Sequence, residues 1–272
     1  MAIKTVYIRK TGNNSNSGLT EALAKLTLSG GNAILVSGDT MDIGAGTWTE
    51  DAQIGYVSGA IYQGTGMYQT MIVGTLQTEI TNTYTMKDMK FTATEKATRG
   101  QYIPSCERVH FDMSVTLTDP ANGVDMFRVP VTGGVVHNNV IVDGWKATGN
   151  SRMYGVIPSD TTTTINNCVY ANCDLYYFMF YWGGGTASLR YRNCIFYNNT
   201  ISYFGYAGGD DKISVDSDFN CIYDTLTRVN GGTTVSVGDN GFTSDPLFTS
   251  PSAGDFSLLP ESPLIGKGTA IL

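Results

Sequence analysis

Four short segments of the chain repeat one another: Asn139-Val140-Ile141-Val142, Asn167-Cys168-Val169-Tyr170, Asn193-Cys194-Ile195-Phe196 and Asn220-Cys221-Ile222-Tyr223. From 139 to 167, 167 to 193 and 193 to 220 the steps are 28, 26 and 27 residues, too short for separate domains and regular enough for a stack of like units. Each unit holds an Asn, a Cys or Val, a β-branched residue and an aromatic or Val, which is strand chemistry. The spacing predicts a coil of parallel strands in which equivalent side chains recur at about 4.8 Å along one axis. Val140, Cys168, Cys194 and Cys221 then form one inward ladder. Asn139, Asn167, Asn193 and Asn220 sit at a corner, where Asn tolerates the left-handed backbone and its amide can bond the Asn above and below.

Composition fits one elongated domain. Only 15% of the 272 residues are charged, whereas Gly (32) and Tyr (16) are abundant, as expected for many strands and tight turns. A formal charge of −7 without a basic block argues against a nucleic-acid partner. No stretch approaches the roughly 18 apolar residues of a membrane span, and residues 1–16 contain no signal-peptide run, so no membrane partner is expected. Of the five cysteines, Cys106, Cys168, Cys173, Cys194 and Cys221, three fall in the inward slot; the odd count predicts free buried thiols. No Cys or His pair has zinc spacing and no phosphate loop occurs, so neither metal nor cofactor is expected.

Along the chain, residues 5–10 read as a strand. Leu19, Ala22, Leu23 and Leu26 follow helical spacing within residues 19–28, before Gly30 and Gly31, and predict a short capping helix across the open first rung. Residues 33–36 and 40–43 read as strands, and 59–74, 81–93 and 106–118 each hold an alternating one. The expected layout is an N-terminal strand and capping helix over 1–32, coils over 33–240 and a closing segment over 241–272. In that segment Pro246, Pro251, Pro260 and Pro263 break the ladder, while Phe248, Phe256, Leu258, Leu259, Leu264 and Ile265 are left to cover the last apolar face.

Residues 7–23 and 40–50 (TMDIGAGTWTE), and above all 245–268 (DPLFTSPSAGDFSLLPESPLIGKG), resemble the two ends of right-handed parallel β-helix proteins of the pectate-lyase-like superfamily, including phage tailspikes and other virion proteins. The resemblance implies an all-β fold: a single-stranded right-handed parallel β-helix of about eight rungs. It does not imply an activity, because the superfamily also holds pectate lyases, polygalacturonases and adhesins. A polygalacturonase-like site needs a Gly-His step and an Arg-Ile-Lys run; neither His110 nor His137 follows Gly, and that run is absent.

Acidic candidates are Asp210 and Asp211, and the pair Asp216 and Asp218, which strand alternation places outward at roughly 6.5–7 Å, near the carboxylate separation of inverting glycosidases. Such a pair also reads as a solvated face, and none of the four is assigned as catalytic. Aromatic residues crowd 174–185 and 201–209; Tyr176, Phe178, Tyr181, Trp182, Tyr203 and Tyr206 are candidates for stacking on sugar rings or for subunit contact. The sequence expectation is a non-enzymatic bacteriophage virion protein: a capsid decoration, head fibre or spike subunit, homotrimeric, bound to other virion proteins and able to touch host polysaccharide. A polysaccharide lyase or glycoside hydrolase, and an adhesin or carbohydrate-binding module, are the alternatives.

Overall fold

The computed structural model describes residues 2–49, 56–74, 84–93, 105–113, 117–118, 125–129, 135–148, 151–156, 162–181, 186–207, 212–227 and 237–270. Its repeating unit is a strand, one left-handed residue, a second strand, another left-handed residue and a third strand. Thr162–Asn166, Val169–Ala171 and Asp174–Tyr181 form one turn of the coil, and Thr186–Arg192, Ile195–Tyr197 and Thr200–Ala207 the next. Every pairing between the two turns is parallel with a 26-residue offset, from Thr162↔Ser188 through Val169↔Ile195 to Leu175↔Ile201. The chain is a parallel β-helix. Among the described residues, nine strands succeed one another along the longest path of its largest sheet, starting at Thr5–Ile8 and ending at Lys212–Asp218.

A residue with φ near +55° bends the chain sharply between two strands, and Asn accepts that conformation more readily than most residues. Asn167 (φ 54°) and Asn193 (55°) make the first corner; Asn172 (55°) and Asn198 (51°) make the second. The first corner extends down the coil through Asn139, Arg108 and Asp88, all at 54°. Asn193 Nδ2 donates to Asn167 Oδ1 at 3.0 Å and Asn198 Nδ2 to Asn172 Oδ1 at 2.8 Å, so each corner carries the expected amide ladder.

The fourth repeat departs from expectation by one residue. Ile195 pairs with Cys221, which sets Asn220 over Cys194 and gives the corner conformation to Phe219 (φ 56°). The inward ladder is therefore Met89, Val109, Val140, Cys168, Cys194 and Asn220, all fully buried. The cause is register: Lys212–Asp218 already pairs with Thr186–Arg192 at the 26-residue offset, and the motif at 220 lies 27 residues after its predecessor. Asn220 suits the interior because both ends of its amide are bonded. Oδ1 accepts from Cys194 N at 2.9 Å and Nδ2 donates to Tyr191 O at 3.2 Å, so no polar group is buried without a partner there.

All five cysteines are free and buried. Immediately after a corner, Cys168, Cys173 and Cys194 donate Sγ–H to the carbonyl two residues back, at 3.1, 3.2 and 3.3 Å. The core beside them is aromatic: Phe178 stacks on Phe204 at 4.6 Å and Tyr170 on Phe196 at 5.3 Å. Each such side chain contributes about 1.5–3 kcal/mol by leaving water.

Both ends differ from expectation. Residues 19–28 do not form the capping helix: a 3-10 turn spans Glu21–Leu23, an α-helix spans Leu28–Asn32, and Leu19, Leu23 and Leu26 are exposed. Gly31, expected as a stop, is the contact point, since a Cβ there would stand 2.5 Å from Ile8 Cδ1 and 2.8 Å from Met41 Cε. Residues 33–36 form no strand: 33–34 are a turn and 35–36 are irregular. The free edge of the first strand is covered by backbone instead, with Tyr7 N bonded to Gly18 O and Lys25 N to Tyr7 O, which blunts edge pairing. At the other end Phe242 bonds both Ile222 and Asn220 through its backbone. The antiparallel hairpin of Phe248–Ser250 and Asp255–Leu258 lies on the outer face of the coil, with Phe248 and Phe256 against Ile141, Val169, Ile195 and Tyr197, not across the open end.

Candidate functional site

The third strands of successive coils, Asp125–Val129, Arg152–Val156, Asp174–Tyr181, Thr200–Ala207 and Leu226–Thr227, build a five-stranded parallel sheet. Strand alternation lapses here. Leu175 and Phe178 point to the core, as do Ile201 and Phe204 beneath them, three residues apart rather than two. Tyr177 and Phe180 on one strand, and Tyr203 and Tyr206 on the next, lie outside the core cluster with the same three-residue step.

These rings form a continuous flank. Tyr177 stacks on Tyr203 at 5.3 Å and Phe180 on Tyr206 at 5.8 Å, while Tyr176 meets Tyr177 at 4.7 Å and Tyr203 at 5.2 Å. The Arg152 guanidinium lies 4.1 Å over the Phe180 ring, a cation–π contact. Tyr177 and Phe180 are only 9% exposed, and Tyr176, Tyr203 and Tyr206 are half-buried above them. Burial pushes the Tyr177 hydroxyl up to about 12. A hydrogen bond shared with Tyr176 raises that of Tyr203. The flank therefore presents hydroxyls on ring faces, chemistry that suits sugar rings and protein surfaces alike.

Of the aromatic candidates, Tyr176, Tyr203 and Tyr206 meet in this flank. Phe178 and Tyr181 do not: both are fully buried in the core, Phe178 because the lapse in alternation turns it inward and Tyr181 because it lies six residues on from the inward Leu175. Trp182 lies outside the described residues. Tyr177, Phe180 and Arg152 complete the flank and were not among the sequence candidates. The 26-residue offset was their signal, since it sets Tyr177 rather than Tyr176 in register with Tyr203.

The acidic candidates have partners. Asp216 accepts from Arg190 Nε at 3.0 Å and Arg192 Nη2 at 2.9 Å, and these bonds, Arg192 first, hold its carboxyl below the usual range. Asp218 accepts from Asn240 N at 2.8 Å, Asn240 Nδ2 at 2.9 Å and Phe219 N at 2.9 Å, which lowers it too. Both are ionised at neutral pH, and neither has a proton to give as a general acid. Asp210 and Asp211 lie outside the described residues. One carboxylate moves the other way: burial and the nearby Asp112 raise Asp143, against the hydrogen bond it accepts from Asn172 Nδ2 at 2.7 Å. Asp112 itself pairs with Lys90 at 2.9 Å.

No family model matches the chain and no curated protein matches it. Among solved structures it is similar to a rhamnogalacturonan lyase, at 17% identity and a TM-score of 0.32, over 89% of this chain and 62% of that one. It is also similar to the A-module of the Azotobacter vinelandii mannuronan C-5 epimerase AlgE4, at 13% identity and a TM-score of 0.26, over 75% of this chain and 87% of that one. The chain thus spans less than two thirds of the lyase. These likenesses say nothing of its activity, and the parallel β-helix rests on the strand register itself.

Proposed function

We propose that this chain is a non-enzymatic structural β-helix whose aromatic flank is its contact surface, serving in a bacteriophage particle as a trimeric capsid decoration, head fibre or spike subunit that touches host glycan. The flank carries the reading. Three half-buried tyrosines over two nearly buried rings and a stacked Arg152 form a firm aromatic platform, and such surfaces favour sugar faces and subunit interfaces. The ionised, fully bonded Asp216 and Asp218 support a non-catalytic role for that pair. The virion setting is supported by the resemblance of residues 7–23 and 245–268 to a superfamily that includes virion spikes.

The test compares the wild-type chain with the Tyr203→Ala/Tyr206→Ala double variant on a glycan panel and by sedimentation equilibrium. Loss of about tenfold in glycan affinity or in association, with Tm retained, is expected; unchanged behaviour in both assays contradicts the proposal. Mass spectrometry of purified particles tests the virion setting separately. A second reading, a polysaccharide-active enzyme, is favoured by Asp143, whose proton affinity is raised by burial and by the nearby Asp112, as suits a general acid. Release of reducing ends or unsaturated uronates, abolished by Asp143→Asn, supports that reading over the first.

A further inference from the structure

A buried histidine lies beneath the C-terminal hairpin, on the outer face of the coil. His110, in Ser105–Asp112, is in register with Lys90 on one side and Ile141 on the other. It is fully buried, and neither ring nitrogen has a hydrogen-bond partner. The hairpin roofs it: the Phe256 ring is 6.1 Å away, and a Cβ at Gly254 would stand 3.5 Å from Cε1. Tyr68 closes the site at 5.8 Å. Among the described residues, the charged and titratable groups around it are Lys90 on the neighbouring strand, Asp112 on its own, Asp143 on the next, and the Tyr68 hydroxyl with Asp255 of the hairpin beside it. Lys90 already engages Asp112. The hairpin strands rest on the coil through apolar contacts of Phe248, Phe256 and Leu258.

We propose that His110 is an acid-triggered latch, whose protonation lifts the hairpin of Phe248–Ser250 and Asp255–Leu258 off the coil and uncovers the apolar row of Ile141, Val169 and Ile195. The imidazolium would hold two N–H donors and a full charge under an aromatic roof, with Lys90 as a like-charged neighbour, whereas the opened state returns the ring to water. Burial, then Lys90, lowers the ring to about 4 from the usual 6.5. The sign follows: a base with a depressed pKa in the closed state gives full attachment above pH 6.5, and attachment weakens as pH falls from 6.5 to about 4. At pH 4.5 these two values correspond to a shift toward the open form of roughly 80-fold.

The test is amide hydrogen exchange of the full chain at pH 7 and 4.5, corrected for intrinsic rates, in the wild type and in His110→Phe, which keeps an aromatic ring and removes the proton. Hairpin protection is expected to fall roughly 80-fold in the wild type while Thr186–Arg192 keeps its own, and to persist in His110→Phe. Retained wild-type protection at pH 4.5, or equal loss in the variant, overturns the proposal. If His110→Phe does not fold, NMR titration of the wild type decides, since His110 and His137 are the only histidines. A His110 midpoint well below 6.5, coincident with hairpin opening, is expected; a midpoint near 6.5 with the hairpin closed refutes the latch.

Discussion

Asn167 and Asn193 stand at the outer corner of the coil in the left-handed conformation, whereas Asn220, one position further along the repeat, is fully buried with an ordinary backbone. The second corner repeats the contrast: Asn172 and Asn198 are left-handed, and Asn199 behind them is buried. The corner asparagines are selected for φ. The inner ones are selected for an amide that spans two coils, since Asn199 Oδ1 accepts from Cys173 N and its Nδ2 donates to Tyr170 O, both at 2.9 Å, as Asn220 does one coil later. A repeat motif read by residue type alone merges the two, and only register separates them.

The difference should appear as a hierarchy of stability losses in denaturant titrations. Asn220→Leu is expected to cost most, about 3 kcal/mol, because Cys194 N–H and Tyr191 C=O lose their partners in the interior; a loss below about 1 kcal/mol would put Asn220 outside the core. Asn193→Ala should cost about 1–2 kcal/mol from left-handed strain, in addition to its bonds to Thr269. Asn193→Gly relieves the strain but not the lost amide, so it should fall between alanine and wild type. Asp216→Asn should cost least, under about 1 kcal/mol, since the pair with Arg190 and Arg192 is solvent-exposed. Its pH dependence has a definite sign: with the carboxyl held low by the arginines, its contribution is present above the ordinary carboxylate range and is lost as acid protonates Asp216. A wild-type advantage over Asp216→Asn that grows on acidification would contradict that pairing.

The coil was legible because corners impose a requirement few residues meet, so Asn recurs where the backbone bends. Four things were hidden for physical reasons. The 27-residue step to Asn220 resembles the earlier steps, but the strand before it had already fixed the pairing. At the start, Leu19, Leu23 and Leu26 have helical spacing yet no surface to bury against, whereas Gly31 packs on Ile8 and Met41 because it lacks a Cβ. In the aromatic run, period-two reasoning could not say which rings face out, since inward and outward positions do not alternate regularly there; Phe178 went in and Tyr177 came out. The hairpin on the outer face was invisible because its partners, Ile141, Val169 and Ile195, read simply as strand residues.

Tyrosine nitration mapped by mass spectrometry, with the protein free and then in its particle or with bound glycan, probes the aromatic flank most directly. Tyr176, Tyr203 and Tyr206 should react in the free chain, while the fully buried Tyr154, Tyr170 and Tyr191 stay unmodified, and the first three should become protected on assembly or glycan binding. Continued reactivity of all three in the bound state would mean that the contact surface lies elsewhere on the coil.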